Sequence, residues 1–288
     1  MRTGTIHDDG RTSQIELDRR AFRRSQTVKS TLISCGSLIA LAVIIYLILS
    51  HSEGWEKVRY MYFSPEHLIA ALPSVAKGLL MNIKVLIASL IIVSLFSTLI
   101  ALVRTTRSAV LFPLRLLANI YTDVFRGIPM IIALYLIGFG IPSLGIFGRI
   151  PTELLGTVAI SMVYSAYVAE VIRAGIEAVH PSQRMAARSL GLSHTRTMRT
   201  IILPQAIRKV IPALMNDFVA MQKDCGLVSV LGAVDAVRSA QIYTAIHFNY
   251  ASYVCAGVLF IIMSFPFILL TDRYSKKVQQ REQLQGSV

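Results

Sequence analysis

The sequence predicts an all-α integral membrane protein with about six transmembrane helices, and three observations carry that reading. Of 288 residues, 54% are hydrophobic and only 16% charged, where soluble domains carry about 25% charged residues. Apolar runs recur at the length a bilayer demands, roughly 20 residues of helix for about 30 Å of hydrocarbon. Lysine and arginine gather in alternate connections, the pattern that orients a chain in a membrane. Mean hydropathy is +0.58.

The first span is Thr31 to Ser50, TLISCGSLIALAVIIYLILS, uncharged throughout. It reads as a retained helix and not a cleaved leader, because its apolar core exceeds the usual ~7–15 residues and LSHSEGW offers no small-x-small cleavage site. The polar residues 1–30 ahead of it form a basic tail whose first 25 or so positions are expected to be mobile. The second span runs from Gly78 to Val103, with Asn82 and Lys84 near its start. The third covers Leu114 to Gly138 and holds Asp123 and Arg126, and the fourth covers Thr152 to Ala174 with Glu170 near its end. Ala251 to Leu270 closes the series.

Gln205 to Val234 is ambiguous, since Asn216, Asp217, Lys223 and Asp224 interrupt its apolar residues. Charge parity decides for a crossing. The tail carries Arg2, Arg11, Arg19, Arg20, Arg23, Arg24 and Lys29, so it belongs inside, as do RTTRS at Arg104 to Ser108 and the terminal DRYSKK. Those placements agree only if Gln205 to Val234 crosses, giving six spans with both termini cytoplasmic. The outer connections then keep few positives: Lys57, Arg59, Lys77, Arg149 and Arg238. The net charge of +13 is therefore orientation signal and partner surface, which excludes nucleic acid as a partner. Membrane lipid is the expected surrounding. Trp55, Tyr60, Tyr62 and Phe63 fit an interfacial aromatic belt.

Cys35, Cys225 and Cys255 all fall in or beside apolar stretches with no paired spacing, so they read as buried small hydrophobes, not as a disulfide or metal framework. His180 and His194 have no further ligand beside them, and no metal site is expected.

The connection from Gly175 to Ala206 is long for neighbouring helices. It reads as two short helices. Pro181 suits a first helical turn, Ala186 and Ala187 favour the helix, and Gly191 ends it. Ser193 caps a second helix reaching Leu203, with Met198, Ile201 and Ile202 on one face. Pro204 is expected to break or kink the chain before the next span. A plain solvated loop needs none of these features; a compact knob fitting a partner's groove needs all of them.

Met185-Ala186-Ala187, Gly191, Ile201, Leu203 and Pro204 resemble the "EAA" loop of permease subunits of bacterial ATP-binding-cassette importers: E-A-A, three residues, G, nine residues, I, one residue, L-P. Gln183 matches the glutamine that commonly precedes that motif, and Met185 departs from its usual Glu. VFRGIPMII at Val124, YSAYVAEVIRAGI at Tyr164 and KDCGLVSVLG at Lys223 are similar to stretches of the polar amino-acid permeases of histidine/glutamine type. In the last of these, Cys225 and Gly226 stand where that family has Thr and Ser. The resemblance covers residues 78–274 and leaves 275–288 as a cytoplasmic tail. It makes 31–50 a helix added to a family that typically has five spans.

The resemblance implies the type I importer (MetI-like) permease fold in the bacterial inner membrane, translocating a polar amino acid or a related compound such as an opine. It implies a second permease subunit (identical or related), an extracytoplasmic substrate-binding protein, and cytoplasmic ATPase subunits that grip the loop at 175–206. Gln183, Arg184, Met185, Ala186, Ala187, Gly191, Ile201, Leu203 and Pro204 are the expected coupling residues, with Arg184 and Arg188 facing acidic groups on the ATPase. The chain has no G-x-x-x-x-G-K-[ST] phosphate loop, so it is not expected to be an enzyme or to bind a cofactor; ATP and magnesium belong to the partner.

Ionisable residues inside spans cost roughly 2.5–3.5 kcal/mol on insertion scales and so face the protein interior or a polar path. Asp123 and Arg126 are spaced to pair on one face, as are Glu170 and Arg173, while Lys223 and Asp224 point apart. With Asn82 and Tyr164 these are the candidate substrate-path or gate residues. A secondary transporter or channel explains six spans and internal charges equally well, but leaves the Ala-Ala-Gly-Leu-Pro spacing to coincidence. An intramembrane enzyme needs a catalytic cluster that the sequence does not offer.

Overall fold

The computed structural model describes residues 14–106, 108–146 and 148–285. Among the described residues every regular element is helical. The chain divides into two compact units, residues 1–59 and 60–288.

The first unit is dominated by α1 (Gln14–Ser50), whose apolar part, Ser25–Ser50, has a mean hydropathy of 2.7. Its hydroxyls bond back into their own helix, Thr31 Oγ1 to the Thr27 carbonyl at 2.8 Å and Ser37 Oγ to the Ser34 carbonyl at 2.9 Å, as hydrocarbon requires of polar groups. The helix starts well before the expected span. Gln, Glu, Leu, Arg and Ala between residues 14 and 24 are good helix formers, so the polar tail is helical from Gln14 onward. Cys35 is exposed on this helix, against the expectation that all three cysteines are buried; Cys225 and Cys255 are. The arginines at 2 and 11 lie outside the described residues.

A short α2 (Trp55–Phe63) leads into the second unit, where Tyr62 stacks on Tyr250 with centroids 5.2 Å apart. Then comes α3 (Pro65–Thr105), which begins with proline at its first turn and absorbs Pro73. It is thirteen residues longer at its start than the Gly78 expected from hydropathy, because residues 65–77 are helical without being uniformly apolar. The unit is organised around α6 (Thr152–Glu177), which packs against α3 on one side and α9 (Leu203–Asp224) on another. Val85, Leu86, Leu134, Ile160, Met221 and Val228 close the main core between them. A second cluster of small residues, Ala71, Ala236, Ala240 and Ala256, brings α3, α10 (Ala236–His247) and α11 (Ala251–Gln285) close together, the small-residue packing that serves helices lacking a hydrophobic drive in lipid.

Two expected spans are broken. The third is α4 (Phe112–Gly127) and α5 (Met130–Ser143), bent by 112°. Ile128 is extended at φ −100° and ψ 141°, as the residue before a proline prefers, and Pro129 has no N–H to continue the ladder. The ambiguous stretch Gln205 to Val234 is α9 followed by a 3₁₀ segment, Cys225–Leu231, with α10 beyond a 49° bend. Among the described residues there are thus four long apolar helices, and up to six spans if each bent pair counts as one.

Candidate functional site

The connection between α6 and α9 folds as a knob. Pro181 opens α7 (Pro181–Ser189), and His180 caps it by accepting from the Ser182 N–H at 3.2 Å. The helix stops in a Schellman turn: the Leu192 N–H reaches the Ala187 carbonyl at 3.1 Å and the Gly191 N–H the Arg188 carbonyl at 2.9 Å. Gly191 sits at φ +74°, a conformation that costs other L-residues about 1–2 kcal/mol. Ser193 caps α8 (His194–Thr197) through the Arg196 N–H at 3.4 Å.

The second short helix does not end at Leu203. It widens into a π turn, Met198–Ile202, in which the Leu203 N–H bonds the Met198 carbonyl five residues back, and continues as α9. Proline clashes with the carbonyl four residues before it, and the wider turn gives the Pro204 ring room without a break. The loop and the span are therefore one continuous rod.

Beneath the knob, Ile176, Val179, Ile202 and Ala206 form a small buried core, with Met198, Ile201 and Leu203 packed on it. Two cations fasten the knob and the helix that continues it to the end of α6: Arg184 Nη2 donates to the Ile176 carbonyl at 3.0 Å, and Lys209 Nζ on α9 to the Ala178 carbonyl at 2.8 Å. Ala187 is buried, whereas Gln183, Met185, Ala186 and Leu190 face outward, Met185 at 61% exposure and Leu190 at 78%. The outward face sets Met185, Ala186 and Leu190 among polar Gln183 and Arg188, a mixed surface suited to seating in a groove. Arg184, expected to face a partner, instead turns largely into the fold.

At the neighbouring end of α6, Glu170 is a hub. Its carboxylate receives Arg104 Nη1 at 2.8 Å, Arg173 Nη2 at 2.6 Å and Arg173 Nε at 3.0 Å, with Arg126 Nη1 3.8 Å away. Arg104 Nε also donates to Asn119 at 2.7 Å, and Arg173 reaches Glu177 at 2.6 Å. Three helices, α3, α4 and α6, meet in this cluster. The expected Asp123–Arg126 pair is absent among the described residues: Asp123 is exposed on α4 and Arg126 leans toward Glu170. The Glu170–Arg173 pair forms as spaced.

Deeper in the unit lie two polar contacts. Tyr164 on α6 donates to Asp224 Oδ2 on α9 at 2.9 Å, while Lys223 is exposed and turned away. Asn82 is buried on α3 and fully engaged. Its amide donates to the Cys225 carbonyl at 2.9 Å and to Asp235 at 3.0 Å, and accepts from the Ala236 N–H at 3.1 Å. Gly78, one turn earlier, lies against the Asp235 backbone, where any Cβ would clash. Near the Tyr164 contact, Gln222 is fully buried with neither amide atom hydrogen-bonded among the described residues, and one Asp217 oxygen is likewise unpartnered. Sequence reasoning missed Arg104, Glu177 and Asp235, having read the first as orientation signal only. No group of His, Cys, Asp and Glu suited to a metal occurs among the described residues.

Residues 108–280 match the family described as the binding-protein-dependent transport system inner membrane component. The chain is 30% identical over 215 residues to the arginine transport system permease protein ArtQ of Bacillus subtilis, covering 74% of this chain and 96% of that protein. It is 34% identical over 208 residues to the putative glutamine transport system permease protein GlnP of Rickettsia felis, covering 69% and 94%. Among solved structures, an amino acid ABC transporter crystallised with histidines superposes with a TM-score of 0.69 and 35% identity, over 75% of this chain and all (100%) of that one. The MetNI methionine ABC transporter, at 18% identity and a TM-score of 0.56, shares the fold over 75% of this chain and 99% of its own. The chain therefore belongs to the binding-protein-dependent transport system inner membrane component family, and is the membrane-spanning permease subunit of an ATP-binding-cassette importer, not its ATPase.

Proposed function

We propose that this chain carries a polar amino acid, or a related compound such as an opine, across the bacterial inner membrane. A substrate-binding protein delivers the solute from outside, and ATPase subunits on the cytoplasmic side supply the work through the knob at residues 175–206. A second permease, identical or related, completes the pore. Both termini are cytoplasmic in this reading, since the basic residues at Arg104 and Arg273 then share a side with the knob.

The observation that carries the proposal is the continuity of the knob with α9 and its fastening to α6 by Arg184 and Lys209. Force applied at the exposed Gln183, Met185, Ala186 and Leu190 reaches both helices at once. Gly191 fixes the shape of the knob, Ala187, Ile201 and Leu203 pack it down, and Pro204 starts the rod. Met185 offers the ATPase soft apolar packing where relatives of this loop type offer a carboxylate. Glu170, with Arg104, Arg126 and Arg173, is the proposed gate at the inner end. Tyr164 and Asp224 border the path, Asp217 lies two turns from Asp224 on the same face of α9, Lys223 and Asp123 sit at its margins, and Asn82 braces it from behind.

Uptake into vesicles is expected to require both ATP and the partner ATPase; uptake driven by an ion gradient with no ATPase present rejects the reading in favour of a secondary transporter. Gly191→Val is expected to insert normally yet hydrolyse ATP without uptake when assembled. Wild-type transport by that variant removes the knob's role.

A further inference from the structure

A cavity of about 1000 Å³ lies between the knob and the start of α4. Its walls combine apolar side chains, among them Leu102, Leu111, Leu192 and Met198, with an unusual density of guanidinium groups: Arg104, Arg115, Arg184, Arg188 and Arg199. The carboxylate lining it, Glu177, is already bonded to Arg173 at 2.6 Å, and Arg104 is committed to Glu170 at 2.8 Å. The other arginines have no carboxylate among the described residues. Arg115 donates to the Thr106 carbonyl at 2.7 Å and lies 5.4 Å over the Phe112 ring, and Arg184 holds the Ile176 carbonyl.

Two buried polar atoms in the lining also lack partners. Thr197 is only 6% exposed and its hydroxyl makes no hydrogen bond, and Arg184 Nε is buried and unbonded. Arg188 and Arg199 are exposed, but the buried Arg184 Nε and Thr197 hydroxyl are costly to leave unpaired unless something completes them. Arginine forks match phosphate oxygens bidentately. The apolar half of the lining argues against a small hydrated ion. On α4, which supplies Leu111's neighbour Phe112 and Arg115, the outward residues Leu114, Leu117 and Ile120 are exposed and apolar, as a lipid-facing helix should be.

We propose that this cavity binds the phosphate-bearing headgroup of an anionic glycerophospholipid, with Arg115, Arg188 and Arg199 around the phosphate and Thr197 donating to it. The proposal rests on the knob facing the cytoplasmic leaflet, where such lipids meet basic pockets at the ends of spans. An occupant there ties α3 and α4 to the coupling rod, so lipid composition bears on how firmly the knob is held. An acidic segment of the ATPase is the rival occupant. It accounts for the exposed Arg188 but not for the apolar lining or for Thr197.

The test is native mass spectrometry of the full chain, extracted in mild detergent and titrated with phosphatidylglycerol or phosphatidylcholine. Wild type is expected to retain phosphatidylglycerol roughly tenfold more tightly, and the double variant R115Q/R199Q to lose that preference. R115K/R199K, which keeps the charge, is expected to restore most of it and guards against a folding defect. Equal retention of the two lipids, or an undiminished preference in R115Q/R199Q, overturns the proposal. So does a lipid-independent rise in melting temperature with millimolar inorganic phosphate that R115Q/R199Q abolishes, because the ligand is then a soluble anion. Loss of ATPase co-purification in R115Q/R199Q with lipid retention intact assigns the cavity to the ATPase instead. None of these readouts requires transport, so failure of ATP-driven uptake and failure of lipid binding are separate results.

Discussion

Asn82 and Glu170 are both polar groups within apolar helices, and they are built differently. Asn82 is neutral, 1% exposed, and has both ends of its amide engaged in a single bracket tying α3 to the junction before α10. Glu170 is charged, 19% exposed at its side chain, and shared among arginines from three helices at distances from 2.6 to 3.8 Å. A network built on a neutral amide with every end engaged holds one geometry. A carboxylate with more suitors than it satisfies at close range can trade one arginine for another as helices shift. The first arrangement is suited to a fixed joint and the second to a moving one.

Substitutions sharpen that contrast. Asn82→Leu is expected to have the largest effect, since it takes the amide donor from the Cys225 carbonyl and from Oδ2 of buried Asp235, which keeps only backbone donors such as the Arg238 N–H; about 3 kcal/mol of stability should go, read as a large drop in melting temperature and folded yield. If Asn82→Leu melts like wild type, the bracket is no joint. Glu170→Gln should fold and insert but disturb the moving part, with ATP-driven uptake falling several-fold while binding-protein docking is unchanged. A variant that lost folding instead would make Glu170 a second fixed joint and erase the distinction. Tyr164→Phe should be milder, costing about 1 kcal/mol for the hydrogen bond to Asp224, with a change in uptake larger than the change in melting temperature if that contact borders the path. Met185→Glu should leave stability within about 0.5 kcal/mol, as exposed surface positions do, and alter only the affinity for the ATPase in a co-purification assay.

What was legible in the sequence was what lies close together along it. The fourth span, the α7 stop at Gly191 and the Ser193 cap follow from local rules, and each appears where spacing put it. The Glu170–Arg173 pair, three residues apart on one helix, was legible for the same reason. Its stronger context was not: Arg104 lies 66 positions from Glu170, and nothing in composition joins them. Asn82 and Asp235, 153 positions apart, were invisible for the same cause. The 112° break at Gly127–Ile128–Pro129 escaped because hydropathy counts apolar residues without asking which way the backbone points; the Gly-x-Pro signal for it was present. Pro204 failed in the opposite sense, since a proline tolerated by a π turn does not interrupt the helix at all.

That widened turn has a geometric consequence. Each residue of an α-helix advances the face by about 100°, and the wide turn between Met198 and Ile202 takes up one extra residue within itself, so the face below keeps its angle to the face above. Deleting one residue there would close the wide turn to an ordinary α turn, leaving Asp217 and Asp224 aimed as before while pressing the Pro204 ring onto the carbonyl four residues before it. The loop thus carries one spare residue that makes space for a ring without turning the shaft beneath it.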